Sequence, residues 1–282
     1  MDLKIEIYKW IKDYAETNKI NQLVVGVSGG VDSAVVSTLC ALTGIPTLCL
    51  VMPIRQKQEQ TDLGIDHCLW LSNHYYNVSW EMIDLTKVFE TFEDMFKSPK
   101  NDLALANSRA RLRMMTLYQK AQTFDGIVVG TGNKVEDFGV GFYTKYGDGG
   151  VDISPIADLY KTEVWEMARE LGIDQRIIDA KPTDGLWDDG RVDEDQLNGM
   201  SYKELEECMK DAEPTDGLWE DDRKDAEQLY GMTYPDLEWC MEHVNAPIDD
   251  MTEQQMDNIE LYKIIRRRNL HKMNPIPVYL KP

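Results

Sequence analysis

Three features of the sequence predict an α/β fold, a parallel β-sheet flanked by helices on both faces in the Rossmann-like manner. Short apolar, β-branched runs alternate with helical patterns as far as Gly130. The runs are apolar nearly throughout, as strands buried on both faces are. The first of them passes through a glycine turn straight into a helix, and open α/β sheets bind ligands just beyond the carboxyl ends of their strands.

The N-terminal stretch MDLKIEIYKWIKDYAETN reads as a charged amphipathic helix and lacks the apolar core of a signal peptide. Leu23–Val27 follows, too short and too β-branched for anything but a buried strand. It runs into Ser28-Gly29-Gly30, and from Ser33 onward Ala34, Val35, Leu39 and Cys40 recur at helical spacing, giving a helix over Val31–Thr43. Further strands are expected at Pro46–Met52, Trp80–Leu85 and Gly126–Gly130, with helices at Thr61–His74 and Asn101–Thr123 between them. Beyond Gly150 the strand signal fades. Asp158–Leu171 reads as a helix closed by Gly172, and Met251–Arg268 as another with three arginines near its C-terminal end, where cations suit the dipole.

A chain of 282 residues is long enough for one large domain, and we expect a single domain over residues 1–282. Within it lies a tandem repeat. DAKPTDGLWDDGRVDEDQLNGMSYKELEECMK (179–210) is followed at once by DAEPTDGLWEDDRKDAEQLYGMTYPDLEWCME (211–242), with 20 of 32 positions identical. Two copies are too few to bury a solenoid core, so a duplicated loop-and-helix unit is the better reading. The net charge of −20 falls in the same region: residues 179–260 carry 26 acidic and 6 basic side chains, leaving the rest neutral. No basic block marks a nucleic-acid surface, and no apolar run approaches the length of a membrane span. The five cysteines form no CxxC pair, which suits reduced thiols in a cytoplasm and argues against disulfides and zinc.

The chemistry is concentrated in the first turn. A helix start has unpaired N–H groups and the positive end of the dipole, and glycines let an anion reach them. On its own, a Gly-Gly turn between strand and helix fits an ordinary connection equally well. The spacing matches neither a P-loop nor GxGxxG. Instead SGGVDS resembles the pyrophosphate-binding loop of the N-type ATP pyrophosphatases, which cleave ATP between its α- and β-phosphates and adenylate a substrate oxygen. The backbone from Gly29 to Ser33 and the Ser28 and Ser33 hydroxyls suit phosphate oxygens, and Asp32 offers a hard oxygen ligand for Mg²⁺.

VVGTGNKVEDFGVGFYTKYGDGGVDISPIADLYKTEVWEMARELGI (128–173) is similar almost throughout to the NAD synthetases. NSRARLRMMTLY (107–118) and LHKMNPIP (270–277) resemble the same family's helix and C-terminal His-Lys segment. The resemblance implies an ammonia-dependent enzyme that amidates deamido-NAD with ATP through an adenylated intermediate. By that resemblance Gly26, Val27, Ser28, Gly29, Gly30, Val31, Asp32, Ser33, Thr131, Lys161 and Thr183 contact ATP. Asp32 and Glu136 bind Mg²⁺, Asp32 and Lys161 serve catalysis, and Arg111, Lys145, Asp152, His271 and Lys272 hold deamido-NAD.

Taken singly, most of these positions have plainer readings. Arg111, Arg113 and Lys120 on a helix read as solvated, Glu136 as a surface carboxylate in a glycine-rich loop, His271 as an exposed histidine and TKYGDGG as a flexible turn. Only their joint occurrence in family order favours the functional reading.

The duplication places Thr183 and Thr215 in competition for one role; Thr183 is expected to take it, its tether to Lys161 being shorter. Asp184 and Asp216 stand where the family usually has a small residue, and Arg55 follows a stretch too dissimilar to assign. The site motifs start at Ser28, which leaves no room ahead of them for an amidase domain and points to free ammonia. A homodimer follows from the resemblance and from Leu112, Met115 and Leu117 on one helix; burial within the monomer explains those three nearly as well. Rival readings are another adenylating pyrophosphatase, GMP synthetase-like or tRNA-modifying, or a catalytically dead nucleotide-binding scaffold whose acidic repeat is an interaction surface.

Overall fold

The computed structural model describes residues 2–96, 101–140 and 142–182, with positions 186, 193, 201–203, 206, 252 and 256. The chain divides into two compact units, Met1–Asn133 with Tyr143–Asp193, and Lys134–Phe142 with Glu194–Pro282.

The first unit is built on four parallel strands, β1 (Gln22–Gly26), β2 (Thr47–Val51), β3 (Val78–Met82) and β4 (Gly126–Val128), in the order β3-β2-β1-β4. Alternate residues face opposite sides, and both sides are apolar at the central strands β1 and β2, whereas β3 exposes Ser79 and Glu81. Leu23 and Val25 of β1 join a core with α1 (Leu3–Thr17), α2 (Val31–Leu42) and α6 (Lys161–Glu170). Val24, Leu48 and Leu50 face the other way, towards α4 (Thr86–Asp94) and α5 (Asp102–Thr123), where Phe89, Met114 and Leu117 are buried. The helix α3 (Gln58–His74) closes a third cluster with Cys49, Val51, Cys68 and Leu71. Ten of the twelve residues of α2 are buried, so this helix is the centre of its layer and not a surface helix.

The winding of the sheet changes direction between β1 and β4. From β1 the chain steps outward through α2 to β2 and through α3 to β3, then returns by α4 and α5 on the opposite face to place β4 on the far side of β1. The carboxyl ends of β1 and β4 therefore open on a crevice that no crossover covers, which is where such sheets take ligands.

The elements differ from the sequence reading at their ends. β3 is Val78–Met82, where Trp80–Leu85 was expected, because Val78 is brought into register by Tyr75 and paired with Thr47. Ile83 and Leu85 still donate to the carbonyls of Val51 and Pro53, but Pro53 has no N–H to return and the ladder ends. α4 was not foreseen; Phe89, its one buried residue, stands among charged neighbours. α6 starts at Lys161 and not at Asp158: residues 154–159 form turns, and Glu163 accepts from the Tyr160 N–H at 2.8 Å to fix the helix start. The expected stop at Gly172 is present, with φ +71° and the N–H groups of Gly172 and Ile173 returning to the carbonyls of Arg169 and Ala168. The reading of Met251–Arg268 as a helix lies outside the described residues apart from Thr252 and Met256.

Cys40, Cys49 and Cys68 are buried free thiols, and burial pushes the Cys40 thiol up. His67 is buried beside α2, its ring stacked on Trp70 at 5.7 Å and its Nε2 3.0 Å from Ser37 Oγ. Burial pushes its pKa down to about 4, against the pull of the Ala34 carbonyl and Asp174. The unfolded chain takes the proton first, near pH 6.5, so the stability that neutral His67 contributes is complete above that pH. It is lost as the pH falls towards 4. Between pH 7 and 5 the protein should lose about 2 kcal/mol more unfolding free energy than His67→Leu does, measured by urea denaturation.

Candidate active site

After Gly26 the backbone turns at Gly29, with φ +88°, and Gly30 starts α2 without any side-chain cap. The turn is cross-braced by its two serines. The Ser28 N–H donates to Ser33 Oγ at 3.2 Å, the Gly30 N–H to Ser28 Oγ at 3.2 Å, and Ser33 Oγ–H to the Gly30 carbonyl at 2.9 Å. Ser28 is exposed while Gly29 and Ser33 are buried, so the loop presents its outer edge and anchors its inner one. An uncapped helix N-terminus at the carboxyl end of a strand is an anion-binding arrangement.

Asp32 stands in the first turn of α2, where the dipole favours a carboxylate. It accepts from Lys161 Nζ at 2.6 Å and from Asn133 Nδ2 at 3.0 Å. Lys161 is 2% exposed and Asp32 15% at their side chains, so the pair is largely withdrawn from water. Lys161 is also the first residue of α6, a place where the dipole opposes a cation, and the carboxylate compensates for it. Thus two helix N-termini and the loop after β4 meet at one ion pair.

A second group lies along α5. Arg111 Nε donates to the Lys145 carbonyl at 3.2 Å, which joins two of the expected deamido-NAD residues. The turn that carries Lys145 is docked: Thr144 Oγ1 donates to Asn107 Oδ1 at 2.7 Å, and its N–H to Asp148 at 3.1 Å. TKYGDGG is therefore a fixed turn seated on α5. Asp152 accepts from the Val128 N–H at 2.8 Å and from Tyr118 Oη at 3.1 Å, at the end of β4. Burial first, then the Asp152 charge, pushes the Tyr118 hydroxyl up to about 12, so it stays a donor.

Thr131 follows β4 on the same loop as Asn133. Glu136 belongs to the second unit. It lies in a π-helical turn, Val135–Val140, in place of an open glycine-rich loop, and accepts from Tyr202 Oη at 2.8 Å. Thr183, Thr215, His271 and Lys272 lie outside the described residues. Of the apolar trio on α5, Leu117 is buried in the core of its own chain while Met115 is 64% exposed. Asn133 and Tyr118 were not singled out in the sequence; the place of Asn133 in the turn after β4, opposite the loop after β1, was the available signal. Among the described residues no three His, Cys, Asp or Glu side chains gather as a metal cluster, and no helix is long and apolar enough to cross a membrane.

This parallel sheet, with the serine-braced glycine loop and the carboxylate–lysine pair at its switch point, has the fold of the adenine nucleotide alpha hydrolases. The family model of the NAD synthases matches residues 4–227, and the chain belongs to that family. An NH3-dependent NAD+ synthetase of Finegoldia magna is 37% identical over 204 residues, covering 72% of this chain and 81% of the relative. One of Carboxydothermus hydrogenoformans is 38% identical over 207 residues, covering 71% and 82%. Among solved structures, an NMN synthetase of Francisella tularensis has a TM-score of 0.72 at 27% identity, with 100% of this chain and 97% of that one covered. The NH3-dependent NAD synthetase of Campylobacter jejuni shares the fold, with a TM-score of 0.66 and 22% identity over the full length of both chains. The other adenylating pyrophosphatases weighed from the sequence are set aside by this membership.

Breaking a buried pair costs more than the pair contributes, because one charge is left desolvated. Asp32→Asn and Lys161→Met should each lower the unfolding free energy by about 2–4 kcal/mol, and the double variant by clearly less than the sum. Urea titrations of the four proteins measure the coupling directly; additive losses would mean that the two groups do not interact.

Proposed function

We propose that the chain converts deamido-NAD to NAD, with ATP activating the pyridine carboxylate and ammonia supplying the amide nitrogen. The observation that carries this reading is the Asp32–Lys161 pair at the start of α2, beside the uncapped loop, in a chain of the NAD synthase family. A carboxylate does not expel oxide. Adenylation makes it an acyl phosphate with AMP as leaving group: the carboxylate oxygen attacks the α-phosphorus, the bond to the β-phosphate oxygen breaks, and pyrophosphate departs. Ammonia then adds to the acyl carbon, loses one proton to solvent, and AMP leaves.

The chain's own groups position and stabilise charge in these steps. The backbone at Gly26, Val27, Ser28, Gly29, Gly30, Val31 and Ser33, with Thr131, would hold the phosphates, and Lys161 would supply positive charge where the α-phosphate is attacked. Mg²⁺ would neutralise the departing pyrophosphate. Asp32 fits the part of its ligand, a hard oxygen donor beside the phosphate loop, since Mg²⁺ takes few protein carboxylates and completes its shell with phosphates and water. Glu136 is the second proposed ligand. Arg111, Lys145 and Asp152, with His271 and Lys272, are assigned to deamido-NAD; the Arg111–Lys145 contact supports treating the first two as one cluster. Thr183 is preferred to Thr215 for the ATP site. Pro182 and Leu186, which flank Thr183, belong to the first unit with Lys161, and the Leu186 carbonyl accepts from Arg109. A cytoplasmic homodimer completes the proposal.

Purified protein should release AMP only when deamido-NAD, ATP and ammonium are all present, and glutamine should not replace ammonium. Nicotinic acid mononucleotide is the comparison substrate, since the Francisella relative is an NMN synthetase; a higher kcat/KM with it would transfer the reading to the mononucleotide. Asp32→Asn, assayed where it remains folded, should lose about a hundredfold in turnover at limiting Mg²⁺. Light scattering at micromolar protein should give twice the chain mass of 32.4 kDa.

A further inference from the structure

Behind the phosphate loop lies α3, which no step of the reaction uses. Its first turns meet the loop backbone to backbone. A methyl group on Gly29 would stand 2.5 Å from the Gln60 carbonyl oxygen, and one on Gly64 3.4 Å from the Gly29 nitrogen and 3.5 Å from the Val27 carbonyl oxygen. Gly29 is therefore constrained twice, by its left-handed backbone and by the turn of α3 pressed against it.

His67, one helical turn beyond Gly64, is 3% exposed and lies 3.0 Å from Ser37 Oγ through Nε2. The Ser37 hydroxyl has a single proton, which it directs to the Ser33 carbonyl at 2.7 Å, with the Ala34 carbonyl at 3.1 Å. Its oxygen is left to accept, so the hydrogen-bond network assigns the proton of the neutral imidazole to Nε2. Ser33 in turn braces Ser28 and Gly30. A continuous chain thus runs from His67 through Ser37 and Ser33 into the loop. Serine and threonine bonds back to the carbonyl four residues earlier, made here by both Ser37 and Thr38, loosen and bend a helix, and a fixed partner for Ser37 sets how far.

We propose that α3 is the positioning element of the phosphate loop, with His67 setting the first turn of α2 through Ser37 and Gly64 seating Gly29, so that the loop amides are preorganised for the phosphates of ATP. The proposal rests on the assignment of this loop to ATP made above. A histidine that only fills the core would affect stability; a positioning residue also affects phosphate affinity, because small displacements of preorganised donors are felt in binding.

The test is calorimetric binding of inorganic pyrophosphate and of ATP with Mg²⁺, together with steady-state kinetics, for the protein and for His67→Leu, His67→Gln and Ser37→Ala. His67→Leu and Ser37→Ala should each weaken both ligands about fivefold, and the double variant should be no worse than either. KM for deamido-NAD should be unchanged, and His67→Gln, which keeps a donor near Nε2, should recover most of the loss. Should His67→Leu not fold, Ser37→Ala and Gly64→Val, both expected to raise KM for ATP, carry the test. Lowered stability with pyrophosphate and ATP affinities unchanged would overturn the proposal. Failure of the unaltered protein to bind pyrophosphate would overturn the loop assignment itself, a result the variants cannot mimic.

Discussion

The ion pair between Asp32 and Lys161 ties together parts of the chain that lie far apart in sequence. One partner opens α2, the other opens α6, and 129 positions separate them in sequence. Each helix points its positive end at the same place. A lysine there without its carboxylate would face both a dipole of the wrong sign and the loss of water, two costs that a pair with Asp32 offsets together. The rest follows from this meeting point. α6 must lie against α2, the loop after β4 must bring Asn133 to the same carboxylate, and the phosphate loop must remain uncapped so that an anion can take up the field.

That arrangement suits a reaction in which the protein does little covalent work. Pyrophosphate carries concentrated negative charge away from the α-phosphorus, and under the proposed assignment oriented amides, a helix end and a buried ammonium would stabilise it without having to reorganise. The acidic balance of the whole chain comes from residues 179–260, the remainder being neutral overall. The docked turn at Thr144 and the Tyr118–Asp152 bond give the far side of the site the same fixed character.

The sheet and its switch point were legible because strands buried on both faces leave an unmistakable apolar run, and a glycine turn into a helix marks where the run ends. The loop after β1, Asp32 and Lys161 were singled out by resemblance; the Asp32–Lys161 contact was not, because no spacing rule joins residues so far apart in sequence. Strand β3 shifted by two to three residues since register comes from pairing with β2, and α4 was missed, although Val88, Phe89 and Phe92 recur at helical spacing, because it spans only 9 residues. His67 was not singled out for a different reason: a lone histidine within a helix carries no signal of its own, and only the packing of α3 on α2 shows it enclosed.

The three enclosed thiols add a property of another kind. Cys40 on α2, Cys49 on β2 and Cys68 on α3 face one layer, and Cys49 and Cys68 are hydrogen-bonded to each other, which with burial pushes the Cys49 thiol up. No alkylating reagent reaches that layer while α3 lies on the sheet, and a thiol held protonated reacts slowly even when approached. Their rate of covalent capture is therefore a clock for the departure of α3. It runs on the same helix that supports the phosphate loop, so a nucleotide that tightens the loop should slow the clock.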